Sequence, residues 1–411
     1  MHLTRCRICN KKSLTPILRL GKMPPVNYFP TKQELRKPQK RYPLNFCVCR
    51  NCGLTQLDEV VTPEKLFRNY HYLTSASQPL IEHFHSLAQE CVHRHFVSKD
   101  SKVLDIGAND GTLLLEFKKH GVKTLGIDPS VNAVMLAEKV GIKVLPSFFK
   151  SKIATTVRKK YGHFNLITST NVLAHTHDVR SFLKCAKLLL APHGVLIFEF
   201  AHLLDMVVKN QFDVIYHEHV SYFSLRPLTY LLDMLDLQIF DAKKILTQGG
   251  SLRIYVREKK SGTAVHSPSL NLILQEEEDN HINEIATLQG FAKDVHQFRN
   301  DLRKLIFKLK KAGHKIVGFG APAKGVILLN FCGLGASEID YIVDSTLLKQ
   351  GRFFPGSHIP VYAEQKLESD NQWDHILLLS WNFQEAIMRK LVPFRAKGTK
   401  VIIPFPKLRV V

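Results

Sequence analysis

The sequence predicts an α/β protein: a central, doubly wound, mostly parallel sheet, a small cysteine-rich domain before it and a second α/β domain after it. Three observations carry this expectation. Apolar strand-like runs alternate with helical patterns between residues 76 and 257, the first of those runs opens into a glycine turn, and the strand–loop–helix rhythm restarts after residue 313. Strands that alternate with helices imply parallel pairing with both sheet faces covered.

Length and composition suit that reading. At 411 residues the chain can bury two or three cores, and 45% hydrophobic with 23% charged residues is ordinary for a soluble protein. Met1 to Lys12 has no apolar stretch behind its basic residues, so no signal peptide is expected. The most apolar stretch, Leu188 to Leu204, is broken by Pro192, His193, Gly194, Glu199 and His202, which excludes a membrane span. A cytoplasmic protein is expected. The formal charge of +21, from 57 Lys and Arg against 36 Asp and Glu, would attract polyanions. The basic residues are spread along the chain with no arginine-rich tract. That favours a generally basic surface, suited to a diphosphate ligand, over a nucleic-acid site. Nothing in the sequence specifies an oligomeric state.

The first region, 1–75, is rich in Pro, Lys and Cys, with short β-like runs such as Leu54 to Leu57. Five of the eight cysteines lie here. Cys6 and Cys9 form one C-x-x-C knuckle, and Cys49 and Cys52 form another. Two tight turns offering two thiolates each make the tetrahedral sulfur site that zinc prefers, and four protein ligands leave no open position, so the zinc would be structural. A redox pair would need only one knuckle. Cys47 is near enough to compete, but its spacing to Cys49 is wrong for the knuckle. Cys91, Cys185 and Cys332 read as buried small hydrophobes.

The second region, 76–257, carries strand runs at Lys102–Ile106, Lys123–Ile127, Leu166–Thr168, Gly194–Phe200 and Ser251–Val256. Asp105, Gly107, Asn109 and Gly111 mark the turn after the first, where doubly wound folds bind cofactors. Asp128 ends the second strand, placed to accept hydrogen bonds from ribose hydroxyls. A dinucleotide loop would read G-x-G-x-x-G around a pyrophosphate. The D-x-G-x-x-x-G found here has acids inside the turn, which suit a cofactor with an amino group and a sulfonium but no phosphate. Further on, Tyr216-His217-Glu218-His219 places four ionisable groups in a row, followed by Tyr222. A histidine near neutrality can take an acidic proton beside a ketone, and the resulting enolate needs a donor at its oxygen. Such a cluster can supply base, orienter and donor; by itself it is as often a solvated or metal-linked patch.

Residues 258–312 read as a linker, Lys259 to Ser269, and one long helical pattern, about Leu270 to Ala312. The acids Glu276 to Asp279 are expected at its start and Lys308, Lys310 and Lys311 at its end, matching the helix dipole. The last region, 313–411, has strand runs at Lys315–Gly318, Tyr341–Val343, His375–Leu379 and Lys400–Ile403.

Taken together, the stretches CRIC (6–9), CRNCGLTQL (49–57), VLDIGANDGTLL (103–114), GIDPS (126–130), NVLAH (171–175), FDVIYHEHVSYFS (212–224), TQGGSLRIY (247–255), GFGAPAKG (318–325) and VDSTLLKQGRFFPG (343–356) resemble the sugar C-methyltransferases of deoxysugar biosynthesis along essentially the full chain. The resemblance implies a zinc-binding N-terminal domain, a central class I methyltransferase sheet using S-adenosylmethionine, and a C-terminal Rossmann-like domain. It implies methylation of C-3, in some relatives C-5, of a 4-keto-6-deoxyhexose carried on a nucleoside diphosphate. His219 would correspond to the general base, with Glu218, Tyr216, His175 and Tyr70 lining the active site, and Asn109, Asp128 and Asn171 would match cofactor-contacting positions. Gly320, Ala321, Lys324 and Gly325 would offer backbone amides and a lysine to the substrate's phosphates, with Asp344, Lys349 and Arg352 nearby; the bland alternative is a cofactor-free relic of a dinucleotide loop.

Two other classes fit parts of the sequence. An RNA methyltransferase would fit the charge and the knuckles, but enzymes acting on exocyclic base nitrogens commonly show an Asp/Asn-Pro-Pro-aromatic tetrad after the fourth strand, and Ser169 to His175 lacks it. A non-catalytic assembly protein would not be expected to keep both the Gly107 turn and the Tyr216–His219 cluster.

Overall fold

The computed structural model describes residues 2–67, 73–259, 266–370 and 373–411. Three sheets organise them. The central one has seven strands in the spatial order Leu237–Ile245, Ser251–Glu258, Leu190–Ala201, Phe164–Thr170, Lys102–Ile106, Lys123–Asp128 and Val144–Pro146. The last five run parallel, while Ser251–Glu258 runs antiparallel to both of its neighbours. Central strands such as Lys102–Ile106 are buried on both faces, which is why they read as continuous apolar runs rather than alternating ones.

The N-terminal sheet is an antiparallel meander of Leu14–Met23, Tyr42–Cys49 and Thr55–Leu57. Its fourth strand comes from far along the chain: Ser221–Tyr222 pairs with Gln56 and Thr55. The C-terminal sheet orders Val361–Tyr362, Ile342–Val343, Ile316–Phe319, His375–Leu378 and Lys400–Ile403 in parallel, with Arg409–Val410 antiparallel at one edge.

The helical segment departs from expectation. It is two helices, Pro268–Asp279 and Ile285–Lys311, not one. Asn280 folds its side-chain amide back onto the Glu276 carbonyl (2.8 Å), and His281 takes a left-handed φ of 49°, which ends the first helix. The acids 276–279 therefore close a helix, where the dipole disfavours them. Glu277 is retained for another purpose: its carboxylate is buried, accepts the Leu225 N–H, and lies 2.8 Å from Nε2 of the buried His202. Asp205 flanks the other ring nitrogen at 3.1 Å, and the two carboxylates raise the His202 pKa against its burial. Lys308, Lys310 and Lys311 do sit at the carboxyl end of the second helix.

The buried stripe of Ile285–Lys311 (Leu288, Phe291, Val295, Phe298, Leu302, Ile306) binds the terminal domains into one core. Phe291 meets Phe46 of the N-terminal sheet at 6.3 Å, and Phe298 stacks on Phe405 of the C-terminal domain at 5.0 Å. Phe212, directly before the Val214–Tyr222 segment, touches Phe298, Phe331 and Phe405. Such an aromatic cluster holds its rings in edge-on and stacked contacts. Among the described residues no helix is long and apolar enough to cross a membrane.

Removing Glu277 should leave the charged His202 with one partner in a buried site. Glu277→Ala is expected to lower the unfolding free energy by about 3 kcal/mol in a urea titration; a loss below about 1 kcal/mol would show the pair is not a structural clamp.

Candidate active site

The four knuckle cysteines converge. Cys6 and Cys52 sulfurs lie 3.5 Å apart, as do those of Cys9 and Cys49, and all four ligand atoms fall within 4.8 Å of one another. Zn–S bonds of about 2.3 Å would give tetrahedral edges of about 3.8 Å, so the set fits zinc. Gly53, with φ of 80°, closes the second turn by donating its N–H to the Cys49 carbonyl at 2.9 Å. Cys47 is outside the cluster; burial, reinforced by Asp58, pushes its thiol up to about 12, so it stays protonated.

Beside this site, a cleft of about 1880 Å³ lies where the three sheets meet. One wall is formed by the carboxyl ends of the central parallel strands. Gly107 lines it with φ of 82°, and a Cβ there would strike Val172 Cγ2 at 2.2 Å. Asp128 also lines it, its two carboxylate oxygens each held by a backbone amide, from Asn109 and Ser130, at 2.8 Å. Asp105 takes the Thr168 hydroxyl at 2.8 Å; burial, with Asp128 and Glu199 adding, pushes its carboxyl up to about 7. Asn109 spends its side-chain oxygen on Thr74, at 3.0 Å from the amide and 3.2 Å from the hydroxyl, fastening residues 73–77 over the turn. Asn171, at φ of 58°, also faces the cleft. Gly111 does not: it starts the helix Thr112–Lys119, and a Cβ on it would meet Ile142 at 2.9 Å.

The Tyr216–His219 row divides. His217 turns away, its Nε2 donating to the Pro43 carbonyl at 3.1 Å and its ring packing on Tyr42. Tyr216, Glu218 and His219 line the cleft. Asn27, from the N-terminal domain, donates to Glu218 at 2.7 Å. His219 Nδ1 lies 2.8 Å from the Val214 carbonyl. A carbonyl only accepts, so Nδ1 carries the proton and Nε2 keeps its lone pair. Burial, with His175 and Lys324 adding, lowers the His219 pKa well below its usual 6.5, so the ring is neutral. Tyr216 packs on one side of it at 4.0 Å; His175 stacks at 5.0 Å and is itself covered by Phe67 at 5.4 Å. Burial and His177 hold His175 down at about 4. Tyr70 lies outside the described residues.

On the C-terminal side, the expected amide cradle is corrected at Gly320 and Ala321. Gly320 donates its N–H to the Val343 carbonyl, Ala321 donates to the Asp344 carboxylate, and Pro322 has none. Ala321 and Gly325 are packed inside the domain, Gly325 against Leu379 and Phe354. Asp344 holds the loop rather than facing a ligand alone, accepting also from Thr346 N–H at 2.8 Å. The side chains do reach the cleft. Lys324 Nζ donates to the Gln248 carbonyl at 2.7 Å and sits over Trp381; burial brings it down to about 8 although Asp213 pulls the other way. Lys349 donates to the Ala321 carbonyl at 2.9 Å and Arg352 to the Phe29 carbonyl at 3.2 Å. Asn27 and Gln248 were missed from sequence, since only the folded chain brings them to this wall.

A sheet of this strand order, with a glycine turn and two buried acids at its centre, defines an S-adenosylmethionine-dependent methyltransferase. Three successive stretches match known family profiles: a zinc binding domain at residues 6–67, a methyltransferase domain at 80–241 and a C-methyltransferase C-terminal domain at 246–406. The chain is 31% identical over 409 residues to the C-methyltransferase NovU of Streptomyces niveus, covering 100% of this chain and 97% of that one. The protein therefore belongs to the C-methyltransferase family, with zinc and S-adenosylmethionine as its metal and cofactor. Part of it, 24%, is also 31% identical to 45% of the ubiquinone biosynthesis O-methyltransferase of Pasteurella multocida. Among solved structures, magnesium protoporphyrin IX methyltransferase from Synechocystis PCC 6803 aligns over 44% of this chain and 79% of that one, at 14% identity and a TM-score of 0.34.

Metal analysis of the purified protein should find about one zinc per chain, and Cys49→Ser should remove most of it and destabilise the N-terminal sheet. Full zinc retention in that variant would contradict the four-thiolate site.

Proposed function

We propose that the enzyme methylates a carbon next to the ketone of a nucleoside-diphosphate 4-keto-6-deoxyhexose, in the cytoplasm, as a step of branched deoxysugar biosynthesis. C-3 is the favoured position; C-5 is the other carbon that the same ketone acidifies. The observation that carries the reading is the fixed tautomer of His219: a neutral ring, anchored through Nδ1, lining the cleft that also holds the acidic cofactor pocket and the cations Lys324, Lys349 and Arg352.

S-adenosylmethionine supplies an electrophilic methyl carbon on a cationic sulfur. Asp105 and Asp128 would hold its amine and ribose hydroxyls, with Gly107 and Asn109 shaping the turn and Asn171 contacting the cofactor from the next strand end. His219 would take the proton from the carbon beside the ketone, in the role of general base. Tyr216 and His175 sandwich that ring and hold its plane, while Glu218, fixed by Asn27, would orient a sugar hydroxyl. Lys324, Lys349 and Arg352 would receive the diphosphate through their side chains. Tyr70 is implied by the family resemblance alone as a further active-site residue.

Incubation with labelled S-adenosylmethionine and a panel of nucleoside-diphosphate keto-deoxysugars should transfer label to a sugar carbon. His219→Ala should bind both ligands and lose turnover by about 10²–10⁴-fold; near-normal turnover would move the base to another residue. The depressed His219 pKa means the base form persists as pH falls, so the acid limb of kcat/KM should lie below 6.5. Half-loss of kcat/KM at or above that pH, abolished in no His219 variant, would contradict the assignment.

A further inference from the structure

Asp110 stands in the cofactor turn but not on the cleft, whose wall there runs from Asp105 to Asn109. It is buried, and both carboxylate oxygens are engaged by the chain itself. Oδ1 accepts the Thr112 hydroxyl at 2.6 Å and Oδ2 accepts the Ser75 N–H at 2.9 Å. This acid of the turn therefore holds protein rather than cofactor.

What it holds is the short segment ahead of the helix Gln78–His93. Thr74, the neighbour of Ser75, gives its N–H and its hydroxyl to Asn109. Thr74 and Ser75 open the 3-10 turn Thr74–Ala76, where backbone N–H groups have no partner within the turn. Two successive side chains of the cofactor turn thus satisfy two successive amides of the segment. Leu73, Thr74, Ala76 and Ser77 line the same cleft as Gly107 and Asp128. The helix behind them is fastened separately, to the central sheet. His83 lies 2.8 Å from Glu199, and Arg253 donates to Glu199 at 2.6 Å and to Glu90 at 2.8 Å. Glu199 and Arg253 are buried, so that network is shielded from water and salt. Ser77 joins the two parts in an extended conformation (φ −122°, ψ 102°).

We propose that Asp110 is a positioning residue: it latches residues 73–77 across the cofactor turn, and S-adenosylmethionine enters and S-adenosylhomocysteine leaves when the latch releases. The segment swings at Ser77 while the helix stays on the sheet. The hydrogen bond from Ser75 to Asp110 lies off the cleft, so its strength is the same with or without a bound cofactor. Losing it shifts the segment toward its open position equally in both states, which speeds entry and exit together and leaves affinity in place. The inference uses only the S-adenosylmethionine chemistry of the family and holds whichever sugar carbon is methylated.

Rapid filtration with tritiated S-adenosylhomocysteine, on the zinc-loaded full chain, measures both rates. Asp110→Ala should raise association and dissociation rates together by about tenfold, the worth of one hydrogen bond to a charged acceptor, and leave Kd within about threefold. Asp110→Asn keeps an acceptor for the Ser75 N–H and a donor for Thr112, and should stay within about threefold of the wild type in both rates. Unchanged rates in Asp110→Ala overturn the proposal, as do Asp110→Asn rates that match those of Asp110→Ala. Faster dissociation with an equal loss of affinity also overturns it, and makes Asp110 a support for the shape of the pocket. If Asp110→Ala fails to fold, Thr74→Val decides. That variant removes only the hydroxyl bond to Asn109 and should raise both rates by about threefold; rates equal to the wild type again overturn the latch. A protein that passes these tests yet methylates no keto-sugar of the panel overturns the proposed function alone.

Discussion

The bond from His219 Nδ1 to the Val214 carbonyl is the constraint around which the site is built. A buried imidazole can present either nitrogen, and only a fixed acceptor selects one. The Val214 carbonyl is a reliable acceptor because the segment carrying it is pinned from behind by Phe212, which is locked among Phe298, Phe331 and Phe405. Packing far from the cleft thus sets which nitrogen of His219 is free within it.

The same segment explains why three domains act as one. Between Phe212 and Tyr222 the chain passes from the aromatic junction with the C-terminal domain, along the cleft, into the N-terminal sheet as its fourth strand. Each domain then adds side chains at short reach: Asn27 from the N-terminal domain on Glu218, Lys324 from the C-terminal domain on the Gln248 carbonyl. Displacing any one sheet would move a wall of the chamber. The shared core along Ile285–Lys311 opposes that displacement.

Much of this was legible in the sequence where the signal is local. The strands Lys102–Ile106 and Lys400–Ile403 fall at their expected bounds, and the four cysteines meet as their spacing implied. The N-terminal strands were harder to see, since Pro16 and Gly21 sit at irregularities of Leu14–Met23 and the sheet is completed by residues 167 positions away. His217 and His219 have identical chemistry in the sequence; only the backbone direction sends one to Pro43 and the other to the cleft. The glycine-rich 320–325 loop misled. Its amides resemble a phosphate cradle in sequence, but the neighbouring strand and Asp344 consume those of Gly320 and Ala321. The acids at 276–279 likewise suggested a helix start, when one of them was needed as the buried partner of His202.

The most direct test of the account is the tautomer and charge of His219 itself, read from nitrogen-15 NMR of histidine-labelled protein with His219→Gln used to assign the signal. The account predicts a neutral ring at neutral pH, protonated at Nδ1, with an unprotonated Nε2 that remains so as the solution is brought below the usual histidine range. An imidazolium at neutral pH, or a neutral ring protonated at Nε2, would contradict it.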